Sequence, residues 1–177
     1  DQRAMLAACS MKELLATFGM EAVVIWNAMV LKKRVVVYSD GLPRLLTAMR
    51  TLPQLVWHRQ SWDILRPYAT LDAATLGDLT TAGVYCAGFT DPAVRGREDL
   101  YDVLVDCSAR SVSVADHARE DFQMGSLHKQ FAKFMGEAVE GTDTDQVILR
   151  QLALKTREVL ENLQSLCTTP EGGGPIT

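Results

Sequence analysis

Cysteine and histidine are scarce: the 177 residues hold four Cys and three His. Cys9, Cys86, Cys107 and Cys167 lie far apart with no Cys-x-x-Cys, and His58, His117 and His128 do not fall at ligand spacing from them. That pattern excludes a zinc finger and a disulfide framework, and predicts reduced thiols, with Cys86 and Cys107 as small buried hydrophobes. The phosphate-binding glycine loops are missing too, since neither Gly-x-x-x-x-Gly-Lys-Ser/Thr nor Gly-x-Gly-x-x-Gly occurs. No Gly-x-Ser-x-Gly elbow and no His-Glu-x-x-His frame is present, which argues against a serine hydrolase and against a hydrolytic metal site. There is no internal repeat. No apolar stretch is expected to reach the length of a membrane span, and no signal peptide is expected. The chain opens at Asp1 without a Met, and so reads as a fragment.

What is there is a core. Hydrophobic residues make up 47% of the chain, enough for one domain, or one domain with a small appendage, and too much for wholesale disorder. The formal net charge of −4 argues against a nucleic-acid binder. The charge is uneven: residues 1–70 carry nine Lys/Arg and five Asp/Glu, whereas residues 71–177 carry nine and seventeen. Such an asymmetry can orient a protein partner, and it also arises as ordinary surface variation.

The stretch from Met11 to Ser39 organises the rest. Ser10-Met11-Lys12-Glu13 fits a capping box, followed by a helical stripe of Met11, Leu14, Leu15 and Phe18 that ends at Gly19. A second helix from about Glu21 is apolar on too many sides for a surface helix and must pack between elements. After Lys32-Lys33-Arg34, the run Val35-Val36-Val37-Tyr38 predicts a strand buried on both faces. Ser39 or Asp40 caps the next helix, whose first turn holds Pro43. Leu55 to Trp62 packs two tryptophans, His58 and Arg59 together, wording that suits a core lid or a partner-binding edge. A short polar helix is expected over residues 71–79 and strands over 84–89, 100–105 and 111–114. Asp116 opens a predicted helix to about Ala138, weakened by Gly125. A linker at 141–145 leads to a last helix and a flexible tail. The expected fold is α/β, a mostly parallel central sheet with helices on both faces, followed by a small all-helical module.

Side chains for chemistry do not converge. Asp99, Asp102 and Asp106, spaced three and four apart, do not share one place along a strand. His117 reads as a neighbour of a helix cap. No catalytic group, cofactor site or metal site is assigned.

The wording itself carries a resemblance. FGMEAVVIWNAMVLKKRVVVYS looks like the helix–strand core of the central module of DENN proteins. RTLPQLVWHRQSWDILRPY, YCAGFTDPAVRGREDLYDVLVD and LALKTREVLENL resemble matching stretches of one small member of that family. The resemblance implies a central α/β module over residues 1–115, a downstream helical module over 116–167 and a tail over 168–177. It implies that a longin-like module ordinarily precedes the central one; nothing in this chain corresponds to it. DENN proteins act as guanine nucleotide exchange factors for Rab GTPases, which release nucleotide by displacing the switch regions without a covalent step. The family's Rab footprint uses both modules, so this stretch alone is expected to have little activity. The resemblance further implies a cytoplasmic protein, peripheral on endosomes, whose rival role is an adaptor for coiled-coil subunits of a trafficking assembly. The partner-binding residues expected from loops and edges are Asp40, Arg44, His58, Arg59, Arg95 and Arg97. Each of them also reads as a cap or a solvated charge.

Overall fold

The valine run Val35-Val36-Val37 forms the middle of a five-stranded sheet, in a computed structural model that describes residues 10–56 and 63–168, with side chains to residue 162. Strand β1 (Val35–Tyr38) pairs in parallel with β3 (Cys86–Phe89) on one side and with β4 (Val103–Asp106) on the other. The two-residue β2 (Leu65–Arg66) extends the sheet beyond β3 in parallel, and β5 (Ser111–Val114) closes the other edge antiparallel to β4. The order is β2-β3-β1-β4-β5.

Side chains alternate across a strand, so β1 feeds two cores. Val35 and Val37, with Cys86, Val103 and Val105, face α1 (Met11–Phe18), α2 (Ala22–Val30) and α3 (Leu42–Thr51). Val36 and Tyr38, with Ala87, Phe89 and Leu104, face Leu79 of α4 (Ala73–Ala82) and the 3₁₀ turns around Val94 and Leu100. Helical cover on both faces is what a parallel centre of β-branched residues requires.

The first core does not stop at the sheet. It runs on into Phe131, Met135, Ile148 and Leu152 of the hairpin made by α5 (Ser126–Glu140) and α6 (Asp145–Thr168). Helix α2 lies between them, with Val23, Ile25, Trp26, Ala28 and Met29 all buried. The Trp26 indole stacks on Phe131 at 4.0 Å between ring centroids and donates its N–H to Thr156 Oγ1 at 3.0 Å.

Several local expectations change. The helical stretch Met11–Val30, 20 residues of mean hydropathy 1.3, is long and apolar enough by length and composition to cross a membrane, contrary to the sequence expectation. Here it is broken by a 3₁₀ turn at Gly19–Glu21, where Gly19 takes a φ of +53° that an L side chain adopts only with strain, and most of its apolar side chains, though not Met20, are buried in protein. The capping box at Ser10 does not form. Ser10 Oγ donates to Glu13 Oε2 at 2.8 Å, and the free N–H of Lys12 in the first turn is taken instead by Asp145 Oδ1 at 2.9 Å. Gly41, not Ser39 or Asp40, is the N-cap residue of α3, and no side chain caps it. The single helix expected from Asp116 is divided. A 3₁₀ segment Asp116–Phe122 ends as Phe122 turns into the core, Gln123 is extended, and α5 starts afresh with the Gly125 N–H donating to His128 Nδ1 at 3.1 Å. The tryptophan-rich stretch 57–62, the first nine residues and the tail from 169 lie outside the described residues.

Gly88 in β3 has a steric task. A Cβ there would lie 2.5 Å from the Pro67 carbonyl oxygen and 3.1 Å from both Leu45 and Met49. The Ala69 N–H donates to the Gly88 carbonyl at 2.7 Å, so the segment after β2 runs tight across this backbone. Gly88→Ala should push that segment and α3 away, costing about 1–3 kcal/mol by overpacking. Urea unfolding should show a lowered midpoint, and an unchanged midpoint would mean that the crossing segment is free to move.

Candidate functional site

The two ends of the sheet carry different polar structures. At the carboxyl ends of β1 and β4, Asp106 organises the turn that follows it. Its Oδ1 accepts from the Ser108 and Ala109 N–H groups at 2.9 and 2.8 Å, and its Oδ2 accepts from Arg95 Nε at 2.7 Å. The Arg95 guanidinium also lies over the Tyr38 ring, 4.3 Å from its centroid. The next turn over is tied to this one: the Asp40 N–H donates to Ser108 Oγ at 3.0 Å, and Arg44 Nη1 reaches the Cys107 carbonyl at 3.5 Å. Asp40, Arg44 and Arg95 are thereby gathered at one end of the sheet, where open α/β folds present their loops for binding. Beside them a groove of about 220 Å³ opens between α1, α3 and the turn after β4, lined among others by Glu13, Arg44, Thr47, Cys107 and Arg110. The Cys107 thiol is pushed up to about 11 by burial first and by Asp106 second, and the Cys86 thiol to about 12 by burial, so both are neutral at physiological pH.

At the opposite end, ahead of β1 and β4, Asp102 binds three donors. Its carboxylate takes the Arg34 N–H at 2.8 Å and the Arg34 guanidinium at 2.7 Å, and lies 2.9 Å from His117 Nε2. Arg34 Nη1 also donates to the Asp99 carbonyl at 2.7 Å, and Arg97 grips the Asp99 carboxylate with Nε and Nη2 at 2.8 and 2.7 Å. Arg97 therefore stands apart from Asp40, Arg44 and Arg95, although it is only two residues from Arg95. The loop between them crosses from one end of the sheet to the other. His58 and Arg59 lie outside the described residues. The three aspartates at 99, 102 and 106 each have their own cation: Arg97, Arg34 and Arg95.

Residues 9–116 match the family model described as SPA, stabilization of polarity axis. The chain is 45% identical over 175 residues to DENN domain-containing protein 10 of Dictyostelium discoideum, covering 98% of this chain and 48% of that protein. It is 42% identical over 167 residues to the protein of the same name from Danio rerio (94% and 48%), and 40% identical over 164 residues to the Homo sapiens one (92% and 46%). The chain belongs to the DENN domain family. It spans about half the length of the curated relatives it matches. The SPA match covers every strand of the sheet and α1 to α4, and the likeness to the DENN relatives continues across the α5–α6 hairpin.

Sequence patterns in this DENN chain hid two features of these ends. Arg34 reads as the close of a basic cluster and His117 as a cap neighbour, and only the register that sets β1 beside β4 brings both to Asp102. Arg110, at a φ of +55°, has no local signal, because its place depends on the turn that Asp106 builds.

Asp102 gives the fold an acid-sensitive joint. Burial pushes its carboxyl up, but the hydrogen bonds from the Arg34 side chain and backbone and from His117, with the Arg34 charge, outweigh that and bring it down to about 2. A carboxylate depressed in the folded state stabilises above its unfolded value near 3.8, and that contribution is lost as pH falls from about 4 toward about 2. Asp102→Asn should lower stability at neutral pH and flatten the fall in unfolding midpoint across that window. An unaltered acid slope in the variant would place the acid sensitivity elsewhere.

Proposed function

We propose that this chain is part of a Rab guanine nucleotide exchange factor acting in endosomal membrane trafficking, in a protein that is cytoplasmic and peripheral on endosomes. The observation that supports it best is the match to DENN domain-containing proteins along nearly the whole chain. In this proposal residues 1–115 act as the central module and 116–167 as the downstream one. The factor binds the nucleotide-free GTPase more tightly than the loaded one, so that binding weakens GDP and its magnesium ion, and GTP then enters from solution. Such work asks for an exposed, rigidly held surface. The connections at the carboxyl ends of β1, β3 and β4 supply one, with Asp40 and Arg44 after β1 and Arg95 after β3; Arg97 would meet the GTPase only if its footprint reached the other end of the sheet. His58 and Arg59 belong to the same proposal.

The test is release of a fluorescent GDP analogue from a panel of Rab GTPases by the full-length protein. Acceleration by the wild type, lowered on the order of tenfold by Arg44→Glu, is expected if this end of the sheet carries a charge-assisted contact. Unchanged release with Arg44→Glu would remove that residue, and no release from any Rab would remove the exchange function.

One observation favours the rival adaptor role. Val147 and Leu154 on α6 are 39% and 60% exposed and stand seven residues apart, so they lie along one face of the helix at the spacing a coiled-coil partner reads. Val147→Asp with Leu154→Asp should abolish capture of a coiled-coil subunit and leave GDP release untouched. Retained capture would exclude that face.

A further inference from the structure

We propose that the groove between α1, α3 and the turn after β4 binds a phosphorylated polyol. This does not rest on the exchange function, and concerns a small ligand rather than a protein.

Two guanidiniums line the groove, Arg44 and Arg110. Around β1 and β4, Arg34, Arg95 and Arg97 sit on carboxylates. These two have no ion pair among the described residues; Arg44 has a long 3.5 Å contact to a carbonyl. A planar guanidinium without a carboxylate, in the same concavity as a second one, suits the oxygens of a phosphate. The turn that leads into Arg110 is held by Asp106, whose own charge is taken up by Arg95 and so does not compete for the groove cations.

The remaining lining points to hydroxyls on the same ligand. Glu13 accepts one hydrogen bond, from Ser10 Oγ, and keeps acceptor capacity that would repel a bare anion but bind ligand O–H groups. Thr47 Oγ1 spends its proton on the Pro43 carbonyl, which leaves its lone pairs as acceptors. The groove thus offers cations to a phosphate and acceptors to hydroxyls. Its volume of about 220 Å³ suits a compact molecule of that kind, being below the roughly 300–1,000 Å³ of pockets for drug-sized ligands. Its position beside the carboxyl ends of β1 and β4, from which the chain leaves in opposite directions along the sheet, is where open α/β sheets form ligand crevices.

The source of the polyol phosphate is either a soluble metabolite or a lipid headgroup, and calorimetry with vesicle sedimentation separates them. The full-length protein, with no GTPase present, is titrated with inositol 1-phosphate and with inorganic phosphate. It is also sedimented with phosphatidylcholine vesicles with and without phosphatidylinositol 4-phosphate. Inositol 1-phosphate should bind, more tightly than inorganic phosphate. Arg110→Gly, which removes the guanidinium while easing the positive φ, should weaken it on the order of tenfold without lowering the ligand-free unfolding midpoint. Arg150→Gln, at an exposed position of α6 outside the groove, should leave inositol 1-phosphate binding unchanged. Vesicle binding that requires the phosphoinositide and is competed by inositol 1-phosphate would assign the headgroup; binding of the soluble compound alone would assign a metabolite. The proposal fails if neither source binds, if Arg110→Gly binds as the wild type does, or if inorganic phosphate binds as tightly as inositol 1-phosphate. It also fails if Arg110→Gly impairs only GTPase binding, which would give the groove to the protein partner.

Discussion

Helix α2 has no face for water, and the rest of the molecule is arranged around that constraint. Its apolar side chains need cover in every direction, and the sheet supplies it on one side only. The α5–α6 hairpin supplies the other. The hydrogen bond from the Trp26 indole to Thr156 marks the joint, since a buried N–H must be paired and the available acceptor lies 130 residues away. Lys12 ties the hairpin link with both its nitrogens: its backbone N–H to Asp145 and its Nζ to the Gly141 carbonyl at 2.5 Å. Sheet and hairpin therefore share one core, and separating them would strand apolar surface and two sets of buried or half-buried donors.

The second constraint is electrostatic and works along the sheet. Each end of the β1–β4 pair has an aspartate drawn in from solvent, half-buried Asp102 before β4 and buried Asp106 at its end, and each is neutralised by an arginine from a different connection. Partly buried pairs of this kind do more to fix geometry than to add stability, because desolvation offsets most of the Coulomb attraction. Asp106 fixes the turn after β4 and lends it to Asp40 through Ser108. Asp102 fixes the entry into β1. The loops at the carboxyl end are consequently held on a rigid frame, as a surface must be if binding is to distort the partner instead of itself.

Short-range chemistry was legible in the residues. The run of four strand formers gave β1, the alternating Ser-Val-Ser-Val gave an edge strand, and Gly19 ended α1 with the backbone only glycine takes at ease. Parallel pairing followed from strands buried on both faces and joined by helices. What failed was whatever a distant residue decides. Ser10 and Glu13 have the spacing of a capping box, yet Asp145 takes the first-turn N–H because the hairpin packs there. The helix expected from Asp116 is cut where Phe122 enters the core. Of the residues expected to bind a partner, Asp40, Arg44 and Arg95 come together because β1 and β4 are in register, while Arg97 crosses to the other end with Asp99.

Helix α1 belongs to both the groove and the hairpin joint. Glu13, Leu14, Thr17 and Phe18 line the groove, while Met11, Leu14, Leu15 and Phe18 enter the core shared with α5 and α6. Two of the side chains, Leu14 and Phe18, serve both. A ligand that contacted the groove side of α1 would act on a helix whose first turn is held by Asp145 at the start of α6. Linkage requires that such a ligand influence a partner on α6 only so far as it binds differently to two arrangements of α1, and that the partner influence the ligand by the same factor. A packed core resists graded deformation, so those arrangements would have to be discrete. The place where they could differ is the 3₁₀ turn at Gly19, the one break in the Met11–Val30 stretch and the one position there whose backbone is not committed to a helix.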